Sequence, residues 1–335
     1  MAAQPTLSII IPMREGVPES WLEALLQTKH DVAFVLVFPP HVAHFAKVDP
    51  RLQQITCPLR GEVIQRVTAL LNANGRYILS INCDEYLHPD IVAITKDYFA
   101  TFPDSYFFRL KSTYISYQST HATEPWGEVP PIAEITIRDP HREDLYSDAE
   151  KAVTMREIPI APLANKIDFW ALLRGRRDHH GLHQENFDKK VWRNELVQEA
   201  LQGVTGTFSL AGPFKYIPFW TADRLLGLSV QAHFYEEGRR MGHWLPSPEQ
   251  LRTEENPPAF PRYNRRYVLA EIGILRQFPR FGYIWNLAVM NRGGIFTVWF
   301  PRDWLLLQLE RFGFVKLWRS TRRLLSRVRA AIFSD

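Results

Sequence analysis

Residues 61–90, GEVIQRVTALLNANGRYILSINCDEYLHPD, decide the fold class of this chain. The first half of this stretch has apolar residues at helical spacing and ends with an Asn-Gly pair, which commonly terminates a helix. Tyr77–Ser80 then form a short apolar run, typical of a buried strand. The polar residues Asn82, Asp84 and Glu85 follow at once. An amphipathic helix that leads into such a strand indicates an α/β sheet with ligands bound at the carboxyl ends of its strands.

The same alternation of strand and helix occurs earlier in the chain. Leu7–Ile11 and Val32–Phe38 are apolar, β-branched runs that suit strands buried on both faces of a parallel sheet. Between them, Glu19–Thr28 has apolar residues at helical spacing, and Ser20 is placed to cap its first turn. We therefore expect the α/β class, as an α/β/α sandwich around a mainly parallel central sheet.

The second half of the chain has fewer clear patterns. Ser105–Tyr117 alternates and predicts a strand or hairpin, whereas Pro218–Gly242 predicts one long helix that is capped by Thr221 and ended by Gly242. Ser247–Pro261 is rich in proline and predicts a linker. We expect a main domain over residues 1–245, divided into halves at 1–120 and 121–245, and a helical, basic and aromatic C-terminal region over residues 246–335.

The composition is that of a globular protein. The length of 335 residues exceeds the roughly 250–300 that one core supports, so we expect a large domain with an appendage. Hydrophobic residues make up 46% of the chain, which argues against disorder. Cys57 and Cys83 offer neither a disulfide framework nor a metal-ligand spacing, as expected in a reducing compartment. The first residues lack the basic segment of a signal peptide, and we expect a cytoplasmic location.

The adjacent carboxylates Asp84 and Glu85 are the first candidate ligands. At the end of a parallel strand they suit Mg²⁺ or Mn²⁺, because such hard cations bind one or two protein carboxylates together with the phosphates of a substrate. The alternative is a solvated turn, with His88 in a loop and Asp90 as the cap of the next helix. The residues alone leave both interpretations open.

These segments resemble glycosyltransferase family 2, whose members have the GT-A fold. The matching segments are LSIIIPMRE (7–15) and RGEVIQRVTALLNANGRYILSINCDEYLHPD (60–90). In the family, the strand of the second segment ends in an Asp-x-Asp-like motif. The residues at the motif are Asn82, Cys83, Asp84 and Glu85. The resemblance implies that Asp84 binds a divalent metal and the diphosphate of a nucleotide-sugar donor, with Asn82 in place of the first acidic residue.

The resemblance continues in the second half of the chain. VQEALQGVTGTFSLAGPFKYIPFWTADRLL (197–226) is similar to a segment of the lipopolysaccharide-core glucosyltransferase-like members in which a Glu lies near the acceptor. MNRGGIFTVWFPRDWLLLQLERFGFVKLWR (290–319) is similar to their C-terminal tail. The resemblance implies that residues 1–120 bind the nucleotide-sugar and residues 121–245 the acceptor. It also implies that Glu199 is the general base of an inverting hexosyl transfer.

Three positions depart from the family pattern. The segment Phe38–Phe45 contains no Asp, although the family has a nucleotide-binding Asp after the second strand. Gln198 and Tyr216 stand where those members have His. A catalytically inactive relative that keeps the fold as a binding or scaffold protein is therefore the alternative function.

The candidate site residues follow from these patterns. We expect Asp84 and Glu199 to be catalytic and Asp84 and Glu85 to bind the metal. We expect substrate contacts from Pro12, Arg14, Glu15, Arg66, Asn82, Glu85, Gln198 and Tyr216. The alternative candidates for the base are Asp188, Glu195 and Glu185. We interpret His179, His180 and His183, in the polar segment 174–190, as surface-loop residues because they lack the spacing of a metal site.

Positive charge is concentrated at the C-terminus. The net charge is +4, and Arg302–Asp335 alone has eight basic and three acidic residues. In Phe314–Phe333, apolar residues at helical spacing are interleaved with six basic residues, which is typical of an amphipathic helix at a membrane surface. We expect residues 314–335 to bind the anionic inner face of the plasma membrane, near a glycan or lipid-linked acceptor. A solvated helix packed on the domain is the alternative, and a nucleic-acid partner is not expected.

Overall fold

The computed structural model describes residues 4–59, 61–116, 122, 124–160, 186–210 and 219–255. The strands are β1 Leu7–Pro12, β2 Val32–Phe38, β3 Leu52–Thr56, β4 Tyr77–Ser80, β5 Glu85–Leu87, β6 Phe107–Arg109, β7 Ser112–Ile115, β8 Ile137–Arg138, β9 Met155–Pro159, β10 Lys190–Arg193, β11 Arg240–Trp244 and β12 Leu251–Glu254. The helices are α1 Glu19–Leu26, α2 Glu62–Asn72, α3 Ile91–Thr101, α4 Asp148–Val153, α5 Asn194–Leu210 and α6 Phe219–His233.

A mixed sheet forms the centre of the described structure. Its strand order is β3-β2-β1-β4-β10-β6-β11-β9-β8. The four strands from β3 to β4 are parallel, β6 and β11 are parallel, and β8 pairs in parallel with β9. Antiparallel pairing occurs where β10 joins β4 to β6 and where β11 meets β9. The predicted α/β class and mainly parallel central sheet are therefore confirmed.

Two apolar cores cover the two faces of this sheet. Because side chains alternate along a strand, Ile10 points to one face and Ile9 and Ile11 point to the other. The first face packs against α2, α5 and α6 through residues such as Val63, and the second packs against α1 and α3. Helices on both faces explain why the β1 and β2 sequences are continuously apolar rather than alternating.

A smaller sheet, with order β5-β12-β7, adjoins the carboxyl ends of the main strands. Thr253 of β12 pairs with Glu85 of β5, and the backbone N–H of Glu254 donates to the carbonyl of Asp84. The prediction of a linker over Ser247–Pro261 is thus wrong for Leu251–Glu254, which form β12. The structured body also extends past the predicted boundary at residue 245.

The predicted long helix and two of the predicted caps are also wrong. The helix predicted over Pro218–Gly242 ends at His233, and strand β11 begins at Arg240, inside the predicted range. Ser20 and Thr221 lie inside α1 and α6 rather than at their N-caps. Local helical spacing did not reveal that the β11 backbone completes the sheet between β6 and β9, because that pairing is non-local.

Gly242 is required by the close approach of β11 to β6. A Cβ at this position would lie 1.7 Å from the carbonyl oxygen of Phe107, and the φ angle is 157°. We expect Gly242→Ala to lower the free energy of unfolding by about 2–3 kcal/mol, because the backbone of a central strand must shift. Chemical denaturation measures this change.

Gly238→Ala is the matched control. Gly238 also has a positive φ, 73°, but no atom lies within 4 Å of its added Cβ. Its expected cost is about 1 kcal/mol, from backbone conformation alone. Equal losses in the two variants would contradict a steric role for the β6–β11 contact.

Candidate functional site

Asp84 lies in the turn that joins β4 to β5, at the carboxyl edge of the parallel strands. Its side chain is 17% exposed, and its Oδ2 lies 3.8 Å from a terminal guanidinium nitrogen of Arg14, which follows β1. Burial and the neighbouring Glu85 raise the pKa of Asp84 to about 6, while Arg14 acts in the opposite direction. A largely buried carboxylate at this edge favours a cationic ligand.

Glu85 faces the opposite way and closes the turn. Its side chain is fully buried, and Oε1 accepts from the Lys189 ammonium at 3.0 Å and the Thr253 hydroxyl at 3.3 Å. Its Oε2 accepts from the backbone N–H of Asn82 at 2.8 Å. Both oxygens of Glu85 therefore hold the β4–β5 turn and β12 in place, and the metal and substrate contacts expected of Glu85 stay a prediction.

Arg66 of α2 is the centre of a buried polar cluster beside this turn. Its guanidinium donates to Asp188 Oδ1 at 2.8 Å, to Asn82 Oδ1 at 2.5 Å and to Glu62 Oε1 at 3.3 Å. It also donates to the hydroxyl of Ser80, the last residue of β4. Because the amide oxygen of Asn82 faces Arg66, this side chain holds the cluster together instead of facing a metal with Asp84.

Asp188 and Asp223 are the acidic members of the cluster. Asp188 Oδ1 accepts from Ser80 Oγ at 2.7 Å as well as from Arg66. Asp223 of α6 accepts the backbone N–H groups of Phe187 and Asp188 at 2.7 and 2.6 Å. Burial raises the pKa of both carboxyls above their ordinary values, well above in the case of Asp188, against the opposing charge of Arg66.

A small cavity lies behind the cluster, between the sheet, α2, α5 and α6. Its volume of about 20 Å³ has room for one water molecule. Val63, Leu201 and Leu226 supply its apolar walls, while Arg66 and Asp188 border it. The cavity is too small for a sugar or a nucleotide, so substrates would bind outside it, over the carboxyl edge of the sheet.

The donor set suits a metal held by one protein carboxylate. The described residues contain no group of three or more His, Cys, Asp or Glu side chains arranged to ligate a metal. Among the described residues, Asp84 lies at this edge with a carboxylate that neither the β4–β5 turn nor the buried cluster takes up. Magnesium sites completed by water and substrate phosphates commonly use only one or two protein carboxylates.

Glu199 and Gln198 lie on α5, away from Asp84. Asn194, the first residue of α5, donates to the carbonyls of Ala73 and Gly75, which precede β4. Gln198 donates to the carbonyl of Leu70, near the end of α2. These contacts put the first turns of α5 at the amino edge of the sheet.

The Glu199 carboxylate instead pairs with His233. Its Oε1 lies 2.9 Å from His233 Nε2, and its side chain is 59% exposed. His233 is the last residue of α6, ten positions beyond Asp223. The structure therefore does not bring Glu199 or Gln198 to Asp84.

The other predicted residues are distributed as follows. Pro12 is buried at the end of β1, Glu15 is exposed just beyond it, and Glu195 is exposed near Arg193. Tyr216, Glu185, His179, His180 and His183 lie outside the described residues, as does the segment 314–335. Pro12 thus ends β1, and Arg14 and Glu15 follow it beside the β4–β5 turn.

Sequence reasoning missed Asp223. Its spacing of three and seven residues from the buried Leu226 and Val230 places it on the apolar stripe of α6. A carboxylate on a buried stripe is uncommon and needs polar partners, which was the available signal.

Among the described residues, no helix combines the length and apolar character needed to cross a membrane.

Comparison with known proteins gives structural likeness only. No known family profile matches the chain, and no curated protein matches it. The chain is similar to S. aureus TarS 1–349 in complex with UDP, with 13% identity and a TM-score of 0.42 over 81% of this chain and 65% of that one. For S. aureus TarS 1–349 in complex with UDP-GlcNAc, the identity is 12% and the TM-score is 0.44, over 81% of this chain and 66% of that one. For S. aureus TarS, the identity is 11% and the TM-score is 0.41, over 83% of this chain and 43% of that one.

The chain thus spans 65% of the length of the first of these structures and 43% of the third. With TM-scores of 0.41 to 0.44, the likeness decides neither the fold nor the function of this chain.

The raised pKa of Asp84 gives a pH-dependent cost to folding. The ordinary pKa is 3.8 and the folded value about 6, so the ionised carboxyl destabilises the folded state above pH 6, and the cost disappears below about pH 4. In EDTA, Asp84→Asn should raise the free energy of unfolding by about 2 kcal/mol at pH 7.5 and by much less at pH 4.5.

Denaturation with urea at a series of pH values measures this difference. Asp148→Asn is the control, because Asp148 is fully exposed on α4. A gain at Asp84 that is the same at both pH values would contradict burial of the charge as its cause.

Proposed function

We propose that this chain is a GT-A-type glycosyltransferase that transfers a hexose, with inversion, from a nucleotide-sugar to a glycan or lipid-linked acceptor. The observation that carries the proposal is the placement of Asp84 and Arg14 on neighbouring strands at the carboxyl edge of the parallel sheet. Open α/β sheets bind ligands at this edge. The sequence resemblance to glycosyltransferase family 2 rests on the same two segments.

Asp84 would hold Mg²⁺ or Mn²⁺, which neutralises negative charge on the departing nucleoside diphosphate. Arg14 is 42% exposed and supplies a second positive charge at the same edge. Its guanidinium suits a phosphate oxygen because it offers several N–H donors in one plane. Glu85 and Lys189 keep Asp84 in position through the hydrogen-bonded turn.

Asp188 is the better candidate for the general base than Glu199. It lies beside Ser80 at the same edge as Asp84, and the described residues donate to its Oδ1 but not to its Oδ2. A carboxyl whose pKa is raised by burial is suited to accept a proton from an acceptor hydroxyl. Arg66 fixes its orientation. Glu199 is separated from this edge by the length of α2.

A binding or scaffold function is the second candidate. In place of the family's nucleotide-binding Asp, Phe38 packs against His44 and Phe45, with ring centroids 4.7 and 5.9 Å apart. These side chains form an apolar cover beside Trp21 instead of offering an acceptor to a base or ribose. Failure of the full chain to bind nucleoside diphosphates would support this second function.

Asp84→Ala tests donor binding. We expect the full chain to bind nucleoside diphosphates in the presence of Mn²⁺, and the variant to lose this binding because it lacks the metal carboxylate. Calorimetry with several nucleoside diphosphates, including UDP and the nucleotide-sugar UDP-GlcNAc found with TarS, measures the affinities.

The control for this experiment is Asp90→Ala. Asp90 follows the same turn, but its side chain pairs with Lys29 at 2.9 Å. Equal affinity in the wild type and Asp84→Ala, or equal loss in both variants, would contradict the role of Asp84.

Asp188→Asn and Glu199→Gln distinguish the two candidate bases. Release of nucleoside diphosphate from the donor by hydrolysis provides a readout that needs no known acceptor. We expect Asp188→Asn to lower this rate by about 10²–10⁴-fold with donor affinity retained, and Glu199→Gln to leave it unchanged. The opposite pattern would restore the sequence-based assignment of Glu199. Thermal denaturation of both variants checks that the buried cluster persists.

The proposed location at the inner face of the plasma membrane rests on the sequence of residues 314–335 alone. Its six basic residues would face anionic lipid headgroups and bring the edge of the sheet close to a lipid-linked acceptor.

A further inference from the structure

Tyr114 of β7 is an exposed aromatic residue next to the candidate site. It is 67% exposed, and among the side chains that the structure describes it is the most exposed Phe, Tyr or Trp. Single exposed apolar residues are common on protein surfaces, so exposure by itself does not indicate a site. The position and the support of its ring distinguish Tyr114 from such residues.

Strand pairing places Tyr114 in line with the turn that carries Asp84. Tyr114 is the register partner of Thr253 on β12, and Thr253 is the register partner of Glu85 on β5. Two strand spacings, roughly 10 Å, therefore separate Tyr114 from Glu85. Because Asp84 directly precedes Glu85 in the chain, Tyr114 stands at a comparable distance from the carboxylate that is proposed to bind the metal.

Lys189 supports the Tyr114 ring from one side. The ammonium nitrogen of Lys189 lies over this ring, 5.2 Å from its centroid. The same nitrogen pairs with Glu85 Oε1 at 3.0 Å and donates to Thr253 Oγ1 at 2.8 Å. A cation that is held by two other groups favours one orientation of the ring through the cation–π contact. Because Lys189 covers one face and Tyr114 is mainly exposed, the other face is open to a ligand.

The backbone of Lys189 places this ring beside Asp188. The N–H of Lys189 donates to the carbonyl of Ser80, and its carbonyl accepts from the N–H of Leu110, so Lys189 lies where β4 and β6 end. Asp188, the proposed general base, is its neighbour in the chain. The Tyr114 ring therefore borders the space through which a hydroxyl group would approach Asp188.

Tyr114 and Arg14 lie on opposite sides of Asp84 along the carboxyl edge. Arg14 follows β1, which pairs with one side of β4, whereas Lys189 precedes β10, which pairs with the other side. A diphosphate bound by Asp84 and Arg14 would extend toward β1, and a group on the β10 side would face Tyr114. This arrangement favours a sugar ring rather than a nucleobase as the group that contacts Tyr114.

We propose that Tyr114 is a sugar-binding residue whose exposed ring face stacks on a pyranose ring held beside Asp188. The proposal rests on the proposed glycosyltransferase function and names a further substrate contact of that site. One face of a pyranose presents C–H groups, which pack on the electron-rich face of an aromatic ring. The pyranose belongs to the acceptor or to the donor, because both sugars meet beside the general base during transfer.

Binding of simple sugars to the full chain tests the proposal. The methyl β-glycosides of glucose, galactose, mannose and N-acetylglucosamine supply pyranose rings, and sorbitol supplies comparable hydroxyl groups without a ring. Titrations followed by saturation-transfer NMR measure the affinities. We expect at least one glycoside to bind and sorbitol not to bind. We expect Tyr114→Ala to weaken glycoside binding by about 5–10-fold, the loss typical of one aromatic contact.

Tyr114→Phe separates the ring face from the phenol hydroxyl. This variant keeps the aromatic ring, so we expect it to bind the glycosides as the wild type does. A loss as large as that of Tyr114→Ala would assign the binding to the hydroxyl group and overturn the stacking.

Tyr146→Ala is the matched control. Tyr146 is partly exposed and precedes α4, in the region beyond β8 at the end of the central sheet. We expect its replacement to leave glycoside affinity unchanged. An equal loss in Tyr146→Ala and Tyr114→Ala would show that the sugars bind without a specific contact to Tyr114 and would overturn the proposal.

Nucleoside diphosphates and their nucleotide-sugars, beginning with UDP and UDP-GlcNAc, identify the source of the sugar ring. If the ring is that of the donor, Tyr114→Ala weakens binding of the nucleotide-sugar but not of the nucleoside diphosphate. If the ring is that of the acceptor, Tyr114→Ala weakens only glycoside binding. Equal weakening of UDP and UDP-GlcNAc would indicate a stacked nucleobase and overturn the proposal.

The same measurements separate this proposal from the proposed function. Unchanged affinity for all these ligands in Tyr114→Ala, or failure of the glycosides and the nucleotide-sugars alike to bind the wild type, would overturn the role of Tyr114. If nucleoside diphosphates bind normally in that case, the glycosyltransferase function is not affected. Glycoside binding that depends on Tyr114 in a chain that binds no nucleoside diphosphate would support the role of Tyr114 and contradict the glycosyltransferase function.

Discussion

The buried ion pair between Arg66 and Asp188 is the interaction on which the candidate site depends. Arg66 comes from α2, and Asp188 comes from the segment before β10, 122 positions later in the chain. The pair also engages Ser80 at the end of β4 and Asn82 in the next turn. Two charges out of water are tolerated only when their remaining hydrogen-bonding groups are satisfied. This requirement fixes a helix, a strand end and a distant segment at one point.

The antiparallel strand β10 makes this meeting point possible. It begins at the carboxyl edge and lies between β4 of the first half and β6 of the second, so one continuous sheet joins the two halves. Asp188 lies just before β10 at that edge, and Asp223, near the start of α6, accepts a hydrogen bond from its backbone N–H. The edge consequently carries Asp84 over the first half, and over the second half Arg109 and Arg156 stack on Trp244.

At the carboxyl edge, some polar side chains hold the fold together and others face the region where a ligand would bind. Asp84 and Glu85 are adjacent in sequence, yet Glu85 is fully buried against Lys189 while Asp84 faces Arg14. Asp84 is the last residue of the turn and Glu85 is the first residue of β5, so the two neighbouring side chains have different surroundings. The arginines differ in the same way: Arg66 donates to four acceptors, whereas two nitrogens of Arg156, which stacks on Trp244, have no hydrogen-bond partner in the part of the chain that the structure describes.

The sequence by itself determined the α/β class, strands β1, β2 and β4, helices α1 and α2, and the position of Asp84 after β4. These features depend on local periodicity and on the order of elements, which neighbouring residues encode. The tertiary structure alone decided that β11 is a strand, that Glu199 pairs with His233 away from Asp84, that Asp188 pairs with Arg66, and that Asp223 accepts the backbone N–H of Asp188. Each of these depends on pairing between segments far apart in the chain, where burial and hydrogen-bond satisfaction outweigh local preference.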